Sequence, residues 1–278
     1  MGNTVTAGSW EGLQEVLFAD SFNAKIGRYR SNYAFRGVDD AAYDLSTSLN
    51  RVCSGFLDLE SNLIRNFKKY ASTKLNAGDS FWQLVSQAQH HGLPTRLLDW
   101  TFSPFVAMHF ATANLAMYDA DGAIWCVDYV KVHSQLPTSL HNWLVTEDAV
   151  AFSTDMLDIA AVNFAELKKL EHRGERADSQ SSGFFLFFEP PSIDERIVNQ
   201  YALFSVASRP QALFHQWLEQ YPDFYRKVII PKKLKLEIRD KLDQLNMTER
   251  VIYPGLDGLC KWLSRHYTPT ERILSNKL

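Results

Sequence analysis

Gln89-His90-His91-Gly92-Leu93-Pro94-Thr95-Arg96-Leu97-Leu98-Asp99-Trp100-Thr101 lies between two segments of helical pattern, and its reading decides the fold. On its N-terminal side Asp79 opens a helix in which Phe81, Leu84, Val85 and Ala88 recur at helical spacing, and the stretch follows directly on that helix's end. Pro94 lacks an amide hydrogen and its ring clashes with a preceding turn, so the helix cannot continue through it. On the C-terminal side Ser103-Pro104 sets a capping hydroxyl before a first-turn proline, and Val106, Ala107, Phe110, Ala111 and Leu115 share one side of the helix that follows. Residues 95–101 are therefore expected to form a short strand or turn that feeds a helix.

Farther upstream, Leu59, Leu63, Phe67 and Tyr70 mark a helix within 56–75. Tyr33-Ala34-Phe35-Arg36-Gly37 reads as a strand ending in glycine, which places Arg36 at the strand end, and Ser9 caps a first helix bearing Trp10, Leu13, Val16 and Leu17. Downstream, 123–129, 183–188, 201–207 and 227–231 combine aromatic or β-branched residues with nearby turn formers, as strands do. Between them come helices across about 156–172, after Pro210, and at about 231–246, the last carrying Leu234, Ile238, Leu242 and Leu245. Helices early and strands late predict an α+β fold, a mixed or antiparallel sheet with flanking helices, rather than alternating β-α-β units. With no repeat, low-complexity tract or long linker, one domain over 1–278 is the simplest division.

Composition agrees with a folded core: 46% hydrophobic and 13% aromatic residues supply enough apolar area to oppose chain entropy, which disfavours disorder. The formal charge of −3 hides an asymmetry, since residues 226–278 carry 12 Lys and Arg against 6 Asp and Glu. The basic run 226–241 is a candidate phosphate-facing surface for RNA or DNA, or simply the solvated face of a helix. Three distant cysteines, Cys53, Cys126 and Cys260, suggest neither a disulfide framework nor a zinc knuckle. No secretory pattern opens the chain and no apolar run reaches membrane-spanning length, so a cytoplasmic protein without membrane contact is expected.

The sequence has no dinucleotide-binding glycine fingerprint, P-loop, zincin motif or nucleophile elbow. His90-His91 does not predict a metal, because adjacent side chains diverge and no carboxylate or thiolate follows at ligand spacing. The quoted stretch nevertheless packs two histidines, an arginine, an aspartate, a tryptophan and a threonine between apolar segments. One reading is structural: Arg96 pairs with Asp99, a histidine satisfies backbone groups and Trp100 fills space. The other is a ligand cleft in which donors orient a polar substrate and Trp100 offers a stacking face.

Phe35-Arg36-Gly37, the 89–101 stretch with Ser103-Pro104, Ala107 and Phe110-Ala111, the later Arg196-Ile197-Val198-Asn199-Gln200-Tyr201-Ala202-Leu203-Phe204-Ser205, and the terminal Ile252-Tyr253-Pro254-Gly255-Leu256-Asp257-Gly258-Leu259 together resemble the FRG-domain family. Ala202 departs from the glycine that the family usually has there. By order of features the chain also resembles, more distantly, the ADP-ribosyltransferases, which place an arginine or histidine at the end of a first strand, then a small polar or aromatic patch before an Ala-x-x-Phe-Ala helix, then an acidic residue on a later strand. Arg36, Leu98-Asp99-Trp100-Thr101 ahead of Ala107-Met108-His109-Phe110-Ala111, and Gln200 or Glu195 fall in that order.

The resemblance implies an ADP-ribosyltransferase-like core that uses NAD as a substrate, with no metal, in an effector such as a toxin of a toxin–antitoxin or phage-defence system. It implies Arg36, Gly37, His90, Arg96, Trp100 and Thr101 as dinucleotide-binding residues and Gln200, His91 and Asp99 as catalytic ones. The acceptor would be nucleic acid or protein, and an antitoxin or chaperone is an expected partner. Two other classes stay open: a non-catalytic module that binds a nucleotide or a partner, and a metal-free ribonuclease in which His90 or His91 and Arg96 do the chemistry.

Overall fold

Strand by strand, the aromatic and β-branched runs build one large sheet. The computed structural model describes residues 3–53, 56–76, 78–173 and 183–274. Its strands are β1 (Thr4–Thr6), β2 (Phe22–Asn23), β3 (Arg28–Tyr29), β4 (Tyr33–Val38), β5 (Leu97–Thr101), β6 (Gly122–Asp128), β7 (Phe152–Ser153), β8 (Phe185–Glu189), β9 (Ala202–Ala207) and β10 (Tyr225–Ile230). Eight of them form a sheet in the order β1-β10-β6-β4-β5-β9-β8-β7, while β2 and β3 make a separate ribbon. β1 with β10 and β7 with β8 run parallel and the other neighbours antiparallel. The fold is thus α+β with a mixed sheet and helices on its faces.

Alternation along the strands sorts side chains into separate cores. Phe35, Ile124, Cys126, Val228 and Ile230 face one way, against the helices Trp10–Phe18, Pro104–Thr112 and Lys232–Gln244. Ala34, Val38, Leu98, Trp100, Trp125 and Leu203 face the other way and pack with Phe214 and Trp217. A third core gathers Trp82, Leu97, Leu140, Phe164, Leu186 and Phe204. The helix ends follow ordinary capping chemistry: Ser9, Ser80 and Ser103 accept from the backbone amides of Gly12, Gln83 and Val106.

Instead of the single helix expected across 156–172, there are two, Thr154–Ala160 and Phe164–Lys169. Ala161 is extended, and the Asn163 side chain accepts the Glu166 amide, so a new helix is capped where the apolar spacing alone suggested continuity. Arg36 stands inside β4 rather than at its end.

The feature that positions the site is a weak seam in the sheet. β4 pairs with β6 over six residues, but meets β5 at one register pair, Phe35 with Thr101. Beyond that pair the two strands part. Gly37 lies where β4 is pressed against the helix Pro104–Thr112: a Cβ there would stand 1.8 Å from the Ala107 carbonyl oxygen. Glycine at this position lets the helix close over the strand, and the helix in turn roofs the opening.

Candidate active site at the β4–β5 seam

A cleft of about 540 Å³ opens along this seam, within the usual range for small-molecule sites. Phe35, Gly37, Asp99, Thr101, Gln200 and Ala202 contribute to its floor and walls, as do His90, His91, Arg196 and Phe110. A second hollow of about 630 Å³, lined by Tyr43, Asp44 and Arg51 among others, shares Arg36, Gly37 and Phe110 with it, so Arg36 stands at the junction of the two.

The Arg36 guanidinium fills the place of the missing strand pairing. Its Nη1 donates to the Asp99 carbonyl oxygen at 2.6 Å and lies 3.7 Å from the Asp99 carboxylate, while its Nε is buried without a hydrogen-bond partner. Burial lowers the Arg36 pKa and nearby Arg51 adds to this, against the opposing pull of Asp99. The exposed Asp99 carboxylate also accepts an amide hydrogen of Gln89 at 3.0 Å, and Gln89 accepts the Thr95 hydroxyl at 2.7 Å.

His90 and His91 end the helix Phe81–His90, and both line the cleft, with their rings edge to face at 5.1 Å. His90 Nε2 meets the Asp194 carboxylate at 2.5 Å. Burial lowers the His90 pKa, outweighing Asp194, which favours the charged ring. Asp194 caps the short helix Glu195–Asn199, on which Arg196 Nη1 donates to the His90 carbonyl at 3.3 Å and its guanidinium lies 5.0 Å over the Tyr253 ring. Glu195 does not line the cleft; Arg196 does.

Gln200 is at the C-terminal cap of that helix rather than on a strand, two residues before β9, and its side-chain amide donates to the Ile252 carbonyl at 3.3 Å. The left-handed residue here is Tyr201, φ 49°, so Ala202 is free to sit in ordinary strand conformation opposite Thr101. The Thr101 hydroxyl donates to the Gln200 carbonyl at 2.7 Å and accepts the Ser103 amide at 3.0 Å, which ties the cleft floor to the helix start.

Two of the expected ligand contacts are structural. The side chain of Trp100 is buried, donates Nε1 to the Ser205 hydroxyl at 2.9 Å, and packs edge-on to Phe187 and Phe214. Trp100 borders the cleft with its ring committed to these core contacts, and Phe110 adds a half-buried aromatic surface. Arg96 lies elsewhere, in a buried ion pair with Glu60, stacked at 4.1 Å on Phe164 and donating to the Ser208 carbonyl. It does not pair with Asp99.

The basic C-terminal face is also largely spoken for. Lys235 is buried and donates to the carbonyls of Asp39 and Met117, and Arg239 is buried against His109 and the Met247 carbonyl. Arg226 pairs with Asp20 across the Tyr33 ring, Lys227 reaches the Ala41 carbonyl, and Lys241 pairs with Glu237. Among the described residues no helix is long and apolar enough to cross a membrane, and no group of three or more His, Cys, Asp or Glu is arranged to hold a metal.

Arg196, Gln89 and Phe110 line the cleft, and Asp194 touches it through His90, though the sequence reading gave none of them a role there. Arg196 and Phe110 lay inside quoted motifs, and the signal for Arg196 was its place four residues ahead of Gln200 on one helical turn. No curated protein and no solved structure matches the chain. Residues 31–120 match the family model for the FRG domain, a segment that contains β4, β5, the helix Pro104–Thr112 and the seam between them. The β4 and β5 residues on either side of the seam therefore fall within the segment that matches the FRG domain, while Arg196 and Gln200 lie beyond it.

Proposed function

We propose that the cleft binds NAD and that the chain is an ADP-ribosyltransferase-like effector, of the toxin kind, acting on nucleic acid or protein. One observation carries the reading: Arg36, His91, Asp99, Thr101 and Gln200, from four separate parts of the chain, line a single cleft of ligand size. Arg36 offers a planar fork for phosphate or ribose oxygens, which lysine would not reproduce. Phe110 offers a face for a ring.

In the proposed step the bond between the ribose C1′ and the nicotinamide nitrogen breaks and nicotinamide departs with the bonding pair. The acceptor nucleophile then bonds to C1′, and His91, exposed at the cleft mouth, takes the proton it loses. The oxocarbenium-like ribose needs a negative neighbour. Gln200 has no charge to give, so Asp99, the carboxylate lining the cleft, takes that part.

The neutrality of Gln200 and its bond to the Ile252 carbonyl favour a second reading, a nucleotide-binding module without turnover. The ribonuclease reading loses one of its groups, because Arg96 is held outside the cleft by Glu60. The test is to incubate the intact chain with labelled NAD and separate pools of RNA, DNA and protein, following nicotinamide release and label transfer. The proposal expects label on one pool, loss of it in Arg36→Ala, and a rise of about tenfold in Gln200→Glu, where a carboxylate replaces the amide. Stoichiometric binding with no release from wild type or Gln200→Glu establishes the binding module instead.

A further inference from the structure

Among the described residues, four arginines leave a buried Nε without a partner: Arg36, Arg196, Arg226 and Arg239. Arg226 and Arg239 are held at their other nitrogens by Asp20 and by His109 and Met247, and neither lines the cleft or the hollow beside it. Arg36 and Arg196 both line the cleft. They reach it from either side of β5: Arg36 from β4, and Arg196 from the helix that leads into β9. Two guanidinium groups that line one cavity, beside a single lining carboxylate, Asp99, favour an anionic ligand with acceptors for both.

Both guanidinium groups are held in place before any ligand arrives. Arg36 is fixed through the Asp99 carbonyl, and Arg196 through the His90 carbonyl and the Tyr253 ring. The His90–Asp194 contact lashes the start of the Arg196 helix to the end of the helix Phe81–His90, so the spacing between the two cations is set by secondary structure rather than by flexible loops. The hydrogen bonds among these anchors use Nη1 of each group.

We infer that Arg196 is a ligand-binding residue that works with Arg36 as a two-point clamp, and that the cleft selects ligands with two linked phosphates over those with one. The inference deepens the NAD reading by naming the second anion contact, yet it concerns binding alone and stands without turnover. Each planar fork takes a separate phosphoryl group, and a single phosphate satisfies one and leaves the other bare.

The test titrates the intact chain by calorimetry with ADP, AMP and inorganic pyrophosphate. ADP is expected to bind about tenfold tighter than AMP, the worth of one charge-assisted contact, and pyrophosphate to compete with ADP. Arg36→Gln and Arg196→Gln are each expected to bring ADP down to the AMP affinity. Arg196→Lys keeps a cation over Tyr253 while losing the fork, so it serves if the glutamine variant does not fold, and is expected to weaken ADP severalfold. Equal affinities for ADP and AMP, or wild-type ADP affinity in a folded Arg196 variant, overturn the clamp. ADP selectivity with no nicotinamide release would leave the clamp standing and remove the transferase; release that ignores Arg196 would do the reverse.

Discussion

Arginines serve opposite ends in the cleft and in the C-terminal helices, and the contrast separates binding from stability. Arg265, on the helix Leu256–His266, gives hydrogens to Glu249 at 2.5 and 2.8 Å and to Asp243 at 2.7 and 3.0 Å. Burial opposes its charge, but those bonds outweigh burial and raise its pKa above the usual range. Glu249, which burial alone would push up, is held low by the same contact. Arg36 and Arg196 instead keep a buried donor free beside an open cavity. Arg239 also lacks a partner at Nε and yet braces the C-terminal helices, so it is their place beside the cavity that marks Arg36 and Arg196 for a ligand.

Breaking the saturated side should give the largest effect. Arg265→Met removes the cation and leaves buried Glu249 without its hydrogen-bond partner and half-buried Asp243 with its longer contact to Arg239, a loss expected to cost about 3–5 kcal/mol in chemical denaturation. A cost under about 1 kcal/mol would mean that the network contributes little and that the contrast with the cleft is one of appearance. Gly37→Ala crosses the contrast, because it is a cleft residue with a structural duty. The new methyl meets the Ala107 carbonyl and the Ala111 amide nitrogen, at 1.8 and 2.8 Å, so strand and helix must separate. A destabilisation of about 1–3 kcal/mol is expected, with weaker ligand binding because the roof of the cleft shifts. Unchanged stability would show that the seam yields more easily than its packing suggests.

Local signals carried the reading of the sequence a long way. Ser103, Pro104 and Pro94 bound the strand and the helix after it where capping and proline chemistry place them, and Ser80, one residue past the expected Asp79, caps the helix before it. Arg36, His90, His91, Asp99, Thr101 and Gln200, chosen as a set, line one cleft. What failed depended on partners far along the chain. Arg96 was legible as a buried cation, but its partner Glu60 lies 36 residues back and Asp99 is only three away. Trp100 illustrates a signal present but not used: period-two alternation puts it with Leu98 on the face opposite Asp99 and Thr101. Lys235 and Arg239 each follow a residue of the stripe Leu234-Ile238, close enough in helical angle for their stems to turn inward. Strand β1 had no local signal at all, since its three residues pair with β10 more than 220 positions away.

The histidines sharpen the comparison by the smallest margin. His109 is buried beside Arg239, whose Nη1 lies 2.8 Å from its Nδ1, so Nδ1 must be the acceptor and the ring neutral, with the proton on Nε2. Burial first and then the Arg239 charge hold its pKa down at about 3. In the unfolded chain the same ring takes up a proton near about pH 6.5, so the unfolded state binds more protons everywhere between those values. Stability is therefore complete above about pH 6.5 and falls as pH drops, by on the order of 1 kcal/mol per pH unit from this residue. Urea denaturation at about pH 7 and about pH 5 should show that slope, and His109→Gln, whose amide oxygen can still accept from Arg239, should flatten it by the same amount. His90 lies in the cleft with Asp194 on its ring, where burial and the carboxylate oppose each other, so His90→Gln should flatten the slope less. If the two substitutions flatten it equally, the Asp194 contact does not favour the charged ring, and the cleft histidine is as structural as the one beneath the C-terminal helices.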